Sequence, residues 1–127
     1  MSYSFDKTKG LIVVGVAMLG LTSDAYIELA LDTGAERTII SANRLEAIGY
    51  KVEPEQEHYP LVTGSDIVSS PQFVLPKIYA LGKFKENFPV YCHTLPSDAR
   101  VDGLLGLDFL RSHVLKIDFI NGKITLE

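Results

Sequence analysis

Leu29-Ala30-Leu31-Asp32-Thr33-Gly34-Ala35 is the stretch on which the reading of this chain turns. It closes a run, Tyr26 to Leu31, in which Ile27, Leu29 and Leu31 share one face and Tyr26, Glu28 and Ala30 share the other. That two-residue period is a β-strand's. The strand stops abruptly at a carboxylate, which is costly at the mouth of an apolar strand unless it is well bonded or used. Thr33 offers a hydroxyl that can bond backbone across a tight junction. Gly34 lets backbone approach the carboxylate and present its N–H. Taken alone, these residues leave two readings open. Asp, Thr and Gly all favour turns, so the tripeptide is either a simple turn after a strand or a mount that fixes an ionisable group for chemistry.

Upstream, residues 10–19 read as a buried strand and Gly20 to Ala25 as a turn region. The apolar run Leu11 to Leu21 follows Lys7 and Lys9 and precedes Ser23-Asp24-Ala25, so residues 7–25 also carry the outline of a signal peptide. The run is too short for a membrane span, which needs roughly 20 apolar residues. A soluble, cytoplasmic protein without stable membrane association is the expectation.

Downstream, Thr38 to Ile40 is short and β-branched, and Ser41 stands as an N-cap for a helix of about two turns stopped by Gly49. Residues 58–62 and 67–70 flank Thr63-Gly64-Ser65-Asp66, a hairpin tip. Phe73 to Leu81 and Lys83 to Cys92 form another pair around Gly82, with Pro76 and Pro89 marking edge or irregular positions. Val101 to Gly106 leads into a short helix near Leu107–Ser112. Asn121-Gly122 predicts a two-residue hairpin turn, with Phe119 opposite Ile124, Ile117 opposite Leu126 and Lys116 opposite Glu127. Strand–Asp-Thr-Gly–helix in the first half is loosely echoed by strand–Leu104-Leu105-Gly106–helix in the second. The expected fold class is mostly β with one or two short helices.

The chain's 127 residues suit one domain over 1–127, and 46% apolar content supplies a real but small core. A net charge of -4 with no basic run makes nucleic acid an unsuitable partner. The single Cys92 excludes an internal disulfide. His58, His93 and His113 match no ligand spacing, so neither metal nor other cofactor is expected. Cys92 and His93 are adjacent on a strand and should point to opposite faces, which argues against a nucleophile–base pair. Asp102, beside Gly103, reads as a turn residue.

Ala30-Leu31-Asp32-Thr33-Gly34-Ala35 followed by Thr38-Ile39-Ile40 resembles the active-site segment of retropepsins and their bacterial relatives. Val101-Asp102-Gly103-Leu104-Leu105-Gly106-Leu107-Asp108-Phe109-Leu110 is similar to that family's second signature, and the similarity runs over about residues 10–126. It implies a closed acid-protease barrel and an aspartic endopeptidase acting on polypeptides. Asp32 would be the catalytic carboxylate, and Thr33 would bond its twin across a dimer axis. Gly34 would bond the carboxylate through backbone. Leu104, Leu105 and Gly106 would support the catalytic turn, with Asp108 a structural helix residue. Residues 58–70 would be a flap contacting substrate through Thr63, Gly64 and Ser65, with a tip less glycine-rich than the family's. Ala35 stands where many two-domain relatives carry a hydroxyl.

Such chemistry needs two carboxylates sharing a proton, one activating water and the other protonating the carbonyl oxygen. The chain holds one Asp-Thr-Gly, and Leu104-Leu105-Gly106 lacks the acid. A C2 homodimer would supply the second. The alternative is a catalytically silent module of the same fold that binds peptides. A phosphotransferase using Asp32 as nucleophile is disfavoured, because no acidic partner adjoins it for magnesium.

Overall fold

The computed structural model describes residues 1–53, 55–64 and 66–127. Ten strands are assigned: β1 (Tyr3–Ser4), β2 (Val13–Leu19), β3 (Asp24–Leu31), β4 (Ile39–Ile40), β5 (His58–Val62), β6 (Ile67–Ala80), β7 (Lys83–Cys92), β8 (Gly103–Leu105), β9 (Leu115–Asp118) and β10 (Lys123–Leu126). Among the described residues two short α-helices, α1 (Ala42–Ala47) and α2 (Leu107–Leu110), and a 3-10 turn at Ser97–Ala99 complete the fold. One sheet runs β2-β3-β8-β4-β7-β6-β5, and a further β2–β6 pairing closes its first six strands into a barrel. A second, three-stranded sheet is ordered β1-β10-β9. The mostly β closed barrel with short helices is the architecture expected from the sequence.

Alternation drives the barrel. Val14, Val16 and Met18 of β2 and Ile27 and Leu29 of β3 point inward and are buried, while Tyr26 stands 73% exposed outside. The run Leu11 to Leu21 thus contains a barrel strand, paired with β3 on one edge and with β6 on the other. Among the described residues no helix is long and apolar enough to cross a membrane.

β6 and β7 change face together. In β6 the buried positions pass from Phe73 and Leu75 to Ile78 and Ala80, and the switch falls at Pro76–Lys77. In β7 Phe88 and Val90 are buried, and Asn87 opposite Pro76 takes φ 50°. The register on either side is unchanged, with Leu75 opposite Phe88 and Lys77 opposite Glu86. Proline cannot donate to the ladder, and asparagine tolerates the left-handed region. Pro76 is tolerated because β6 pairs with β5 only through Pro71 and with β2 only from Lys77 onward. Its outer edge there is locally unpaired, which is the irregularity the proline predicts.

Ser41 takes the N-cap of α1 in extended conformation, as expected, with its Oγ donating to Asn43 Oδ1 at 2.7 Å and capping no helix N–H. One local expectation needs correction. The last hairpin has a longer turn than Asn121-Gly122 suggests. Ile117 pairs with Ile124 and Leu115 with Leu126, so Phe119 and Ile120 lie in the turn and are exposed. The cause is Asp118. Its Oδ1 accepts the N–H of Ile120 at 2.9 Å and of Asn121 at 3.0 Å, and its Oδ2 accepts Asn121 Nδ2 at 2.8 Å. The shift is two residues, one full strand period, so the apolar face is preserved and Lys116 still meets Glu127 at 3.0 Å.

β8 is the strand that organises the barrel. It pairs in parallel with β3 (Ala30 with Leu104, Leu31 with Leu105) and antiparallel with β4 (Ile39 with Leu104, Ile40 with Gly103). It therefore threads between two strands that the chain connects through residues 32–38. The passage admits no extra carbon. A Cβ on Gly103 would stand 1.9 Å from Ile39 O, and one on Gly106 would stand 2.6 Å from Arg37 O. Gly103→Ala is expected to lower stability by about 2–4 kcal/mol, because rigid backbone must move. Gly15→Ala should cost under ~1 kcal/mol, since its Cβ meets only the swinging end of the exposed Tyr26. Urea midpoints of the two variants test this contrast, and equal losses would refute it.

Candidate active site

The turn after β3 is held from three sides. The Asp32 N–H donates to Leu105 O of β8 at 3.0 Å, and the Ala35 N–H closes the turn onto Asp32 O at 3.3 Å. Leu107 N–H, at the start of α2, donates to Ala35 O at 2.8 Å. The Asp32 carboxylate receives the Gly34 N–H on Oδ1 at 2.8 Å. Asp32 is half-buried, Thr33 and Gly34 are exposed, and Ala35 is fully buried. A carboxylate is thus fixed by main chain at the surface of a rigid barrel, with the next two residues turned to solvent.

Close to it in the chain lies a residue to which the sequence reading gave no role of its own. Thr38 is fully buried, and each of its hydrogen-bonding groups is engaged. Its N–H donates to Asp108 Oδ2 at 2.9 Å, and its hydroxyl donates to Asp108 Oδ1 at 2.7 Å. The same hydroxyl oxygen accepts the Gly106 N–H at 3.2 Å, and Thr38 O accepts the Tyr91 N–H at 3.0 Å. Asp108 Oδ1 also accepts the Phe109 N–H at 2.9 Å. Burial pushes the Asp108 carboxyl above its ordinary range, and its bonds to Thr38 and Phe109, with Arg37 nearby, pull part of that shift back. In sequence Thr38 is only one of two β-branched residue types before a helix. Its hidden hydroxyl shows only when α2 arrives.

A cleft of about 560 Å³ opens beside Asp32. Thr63, Gly64 and Asp66 of the β5–β6 hairpin line it, together with the apolar Ile39, Val68 and Leu104. His93, Leu95 and Pro96 line it as well. Of the three hairpin residues expected to meet substrate, Thr63 and Gly64 therefore stand on the cleft, and Ser65 lies outside the described residues. Leu104 reaches the cleft, whereas Leu105 is buried in the core and Gly106 serves the turn. His93 and Leu95 were not predicted, and Asp66 was read only as part of the hairpin tip, because the segment after β7 and the hairpin meet only in the folded chain.

Cys92 is buried, and desolvation followed by the nearby Glu46 raises its thiol pKa, opposite to what a nucleophile requires. Among the described residues no three His, Cys, Asp or Glu side chains converge as metal ligands. Asp102 does more than end a turn. Its Oδ2 accepts the Glu28 N–H at 3.0 Å, and its Oδ1 meets Arg44 Nε at 3.0 Å, tying β3 to α1.

Comparison with known proteins bears on this arrangement. Residues 21–112 match the family model described as "gag-polyprotein putative aspartyl protease". A crystal structure of a retropepsin-like aspartic protease from Rickettsia conorii superimposes with a TM-score of 0.71 at 16% identity. That alignment covers 99% of this chain and 88% of the other, and at such identity it speaks for the fold alone. No curated protein matches the sequence.

Asp108→Ala is expected to cost about 2–3 kcal/mol, since it orphans the buried N–H and hydroxyl of Thr38. The folded state also holds the Asp108 proton more tightly than the unfolded chain does. Stability linked to that proton is full below the ordinary carboxylate range and declines as pH rises through the raised value. The gap between wild type and Asp108→Ala, read from urea melts across the acid range, should therefore narrow as pH rises. A gap that widens would contradict this account.

Proposed function

We propose, from the premise that the chain belongs to the gag-polyprotein aspartyl protease family and is retropepsin-like, that it is an aspartic endopeptidase whose active site forms at a homodimer interface. The observation that carries the reading is Asp32 Oδ1 held at 2.8 Å by the Gly34 N–H, at the edge of a cleft covered by a hairpin. In this reading residues 1–127 act as one domain with a flap at about 58–70. Asp32 from each of two copies shares one proton. One carboxylate removes a proton from water as that water attacks the scissile carbonyl, and the other protonates the carbonyl oxygen. Like charges held this close cannot both ionise, so one proton stays between them.

The need for a second copy follows from the carboxylates present. The sequence has a single Asp-Thr-Gly. Asp66 also borders the cleft, but it rides on the flap tip, and its Oδ1 is engaged by the Ile67 N–H at 2.8 Å. A group on a lid cannot hold the fixed geometry that proton sharing requires. Thr33 and Gly34, exposed in the single chain, are then the residues that meet the partner, with Thr33 bonding across the axis. The exposed Phe119 and Ile120 at the β9–β10 turn favour placing the terminal strands at the same interface. The substrate is a polypeptide, and the setting is cytoplasmic. Thr63 and Gly64, with Ser65, would contact the substrate from the flap. Leu104, Leu105, Gly106 and Asp108 act by holding the turn.

Asp32→Asn should reduce kcat on a peptide mixture by about 10²–10⁴-fold, the range of general acid–base catalysis, while its urea midpoint stays near wild type. Asparagine still accepts the Gly34 N–H but cannot share the proton. Sedimentation of wild type should show a dimer at micromolar concentration. Full activity in the Asn variant, or in a monomer, would overturn the proposal.

Ala35 sets the expected pH range. A hydroxyl there could donate to the carboxylate and favour its charged form, whereas alanine cannot, which favours the pair holding its shared proton. We expect an optimum at about pH 5–6.5, with Ala35→Ser moving the alkaline limb of kcat/KM towards acid. A profile unmoved by that substitution, with dimer content held constant, would reject the mechanism.

A further inference from the structure

Glu36 lies two residues beyond Gly34 and makes two bonds to the flap. Its N–H donates to Val62 O at 3.1 Å, and its side-chain Oε1 accepts the Val62 N–H at 3.1 Å. Both main-chain polar groups of Val62, the last residue of β5, are thus taken by one residue of the catalytic turn. Val62 pairs with Ile67 at the end of the flap ladder, where its own N–H and C=O face away from β6. The flap tip comes down with it. A Cβ on Gly34 would stand 3.4 Å from Gly64 Cα. Within one chain, the flap is therefore seated on the turn that carries Asp32.

An extended polypeptide held in a cleft needs main-chain partners from the cleft's edges, as a strand added to a sheet does. The groups that span the gap between turn and flap here are the Glu36 N–H and the N–H and C=O of Val62, and they are spent on each other. We infer that Glu36 is a positioning residue that latches the flap onto the catalytic turn and so holds the cover of the cleft closed against an entering substrate strand. The inference rests on the peptidase reading for what it does to substrate, and on hydrogen-bond geometry alone for what it does to the flap. Peptide binding exchanges one set of main-chain bonds for another. The apparent affinity is lowered by the fraction of time the latch is closed. A carboxylate acceptor strengthens the seat over a neutral one, and its place on the rigid turn, not on the flap, lets the flap lift away without disturbing Asp32.

The test cuts the latch from both sides in the full-length protein. Glu36→Ala removes the acceptor. Val62→Pro removes the donor and spares the β5–β6 ladder, which does not use that N–H. Amide hydrogen exchange at Thr63 and Asp66, whose N–H groups close the flap tip, should accelerate about tenfold in each variant. The double variant should go little further, because both changes delete one shared bond. Glu36→Gln, which keeps an acceptor, should recover most of the protection. On a cleaved peptide, KM should fall several-fold in Glu36→Ala and Val62→Pro. Unchanged exchange in both single variants overturns the latch. So does a KM that rises in both, which would make these groups net contributors to substrate binding. Exchange judges the latch even if wild type cleaves nothing, so failure of the latch and failure of the peptidase reading give different results.

Discussion

The structure hangs on one strand passing between two others. β8 enters the gap between β3 and β4 and bonds both, and the 32–38 segment that joins those strands must wrap around its end. The fit is so close that glycine is required at both ends of the passage, at Gly103 and Gly106. Once β8 is in place, its backbone takes the Asp32 N–H, and α2, which follows directly, delivers Asp108 to Thr38. The carboxylate at the cleft is therefore immobile for a reason that lies 70 residues away in sequence. A part-buried Asp–Thr pair of this kind is costly when half made and rigid when complete. Here it is complete, since every polar group of Thr38 is engaged.

The barrel and the flap are one mechanical unit through β6. That strand begins in the flap as the partner of β5 and continues without a break into the barrel, where it joins β7 and then β2. The hairpin's end is also tied to the turn after β3 by the two bonds between Glu36 and Val62. If the hairpin serves as the proposed flap, β6 is the continuous strand on which it would bend.

Electrostatics set what a single chain can do. The barrel presents one well-mounted carboxylate, and the residues beside it, Thr33 and Gly34, face solvent. Proton sharing between two acids requires a second carboxylate of equal rigidity. Asp66, the other carboxylate on the cleft, belongs to the β5–β6 hairpin and not to the barrel. In the proposed dimer, symmetry would let one mounting serve twice.

Much of this was legible in the sequence. Local chemistry states itself: the alternation of Tyr26 to Leu31, the abrupt Asp-Thr-Gly, the small polar residues between two strands at 63–66, and the face of the last hairpin are properties of neighbouring residues. The irregularity at Pro76 was legible too, because proline's missing N–H is intrinsic. Other features depended on segments distant in sequence. Asp118 lengthened the final turn by bonding three residues ahead, against the preference of Asn121-Gly122. Thr38 looked like one more β-branched residue until Asp108 reached it, and nothing in the sequence marked Glu36 until Val62 came within bonding distance. His93, Asp66 and Leu95 share a cleft only because the barrel closes. Sequence by itself determined which residues could carry charge, turn or alternate. Tertiary structure alone decided which of them meet, because hydrogen bonds between residues 26 or 70 positions apart exist only after the chain has closed on itself.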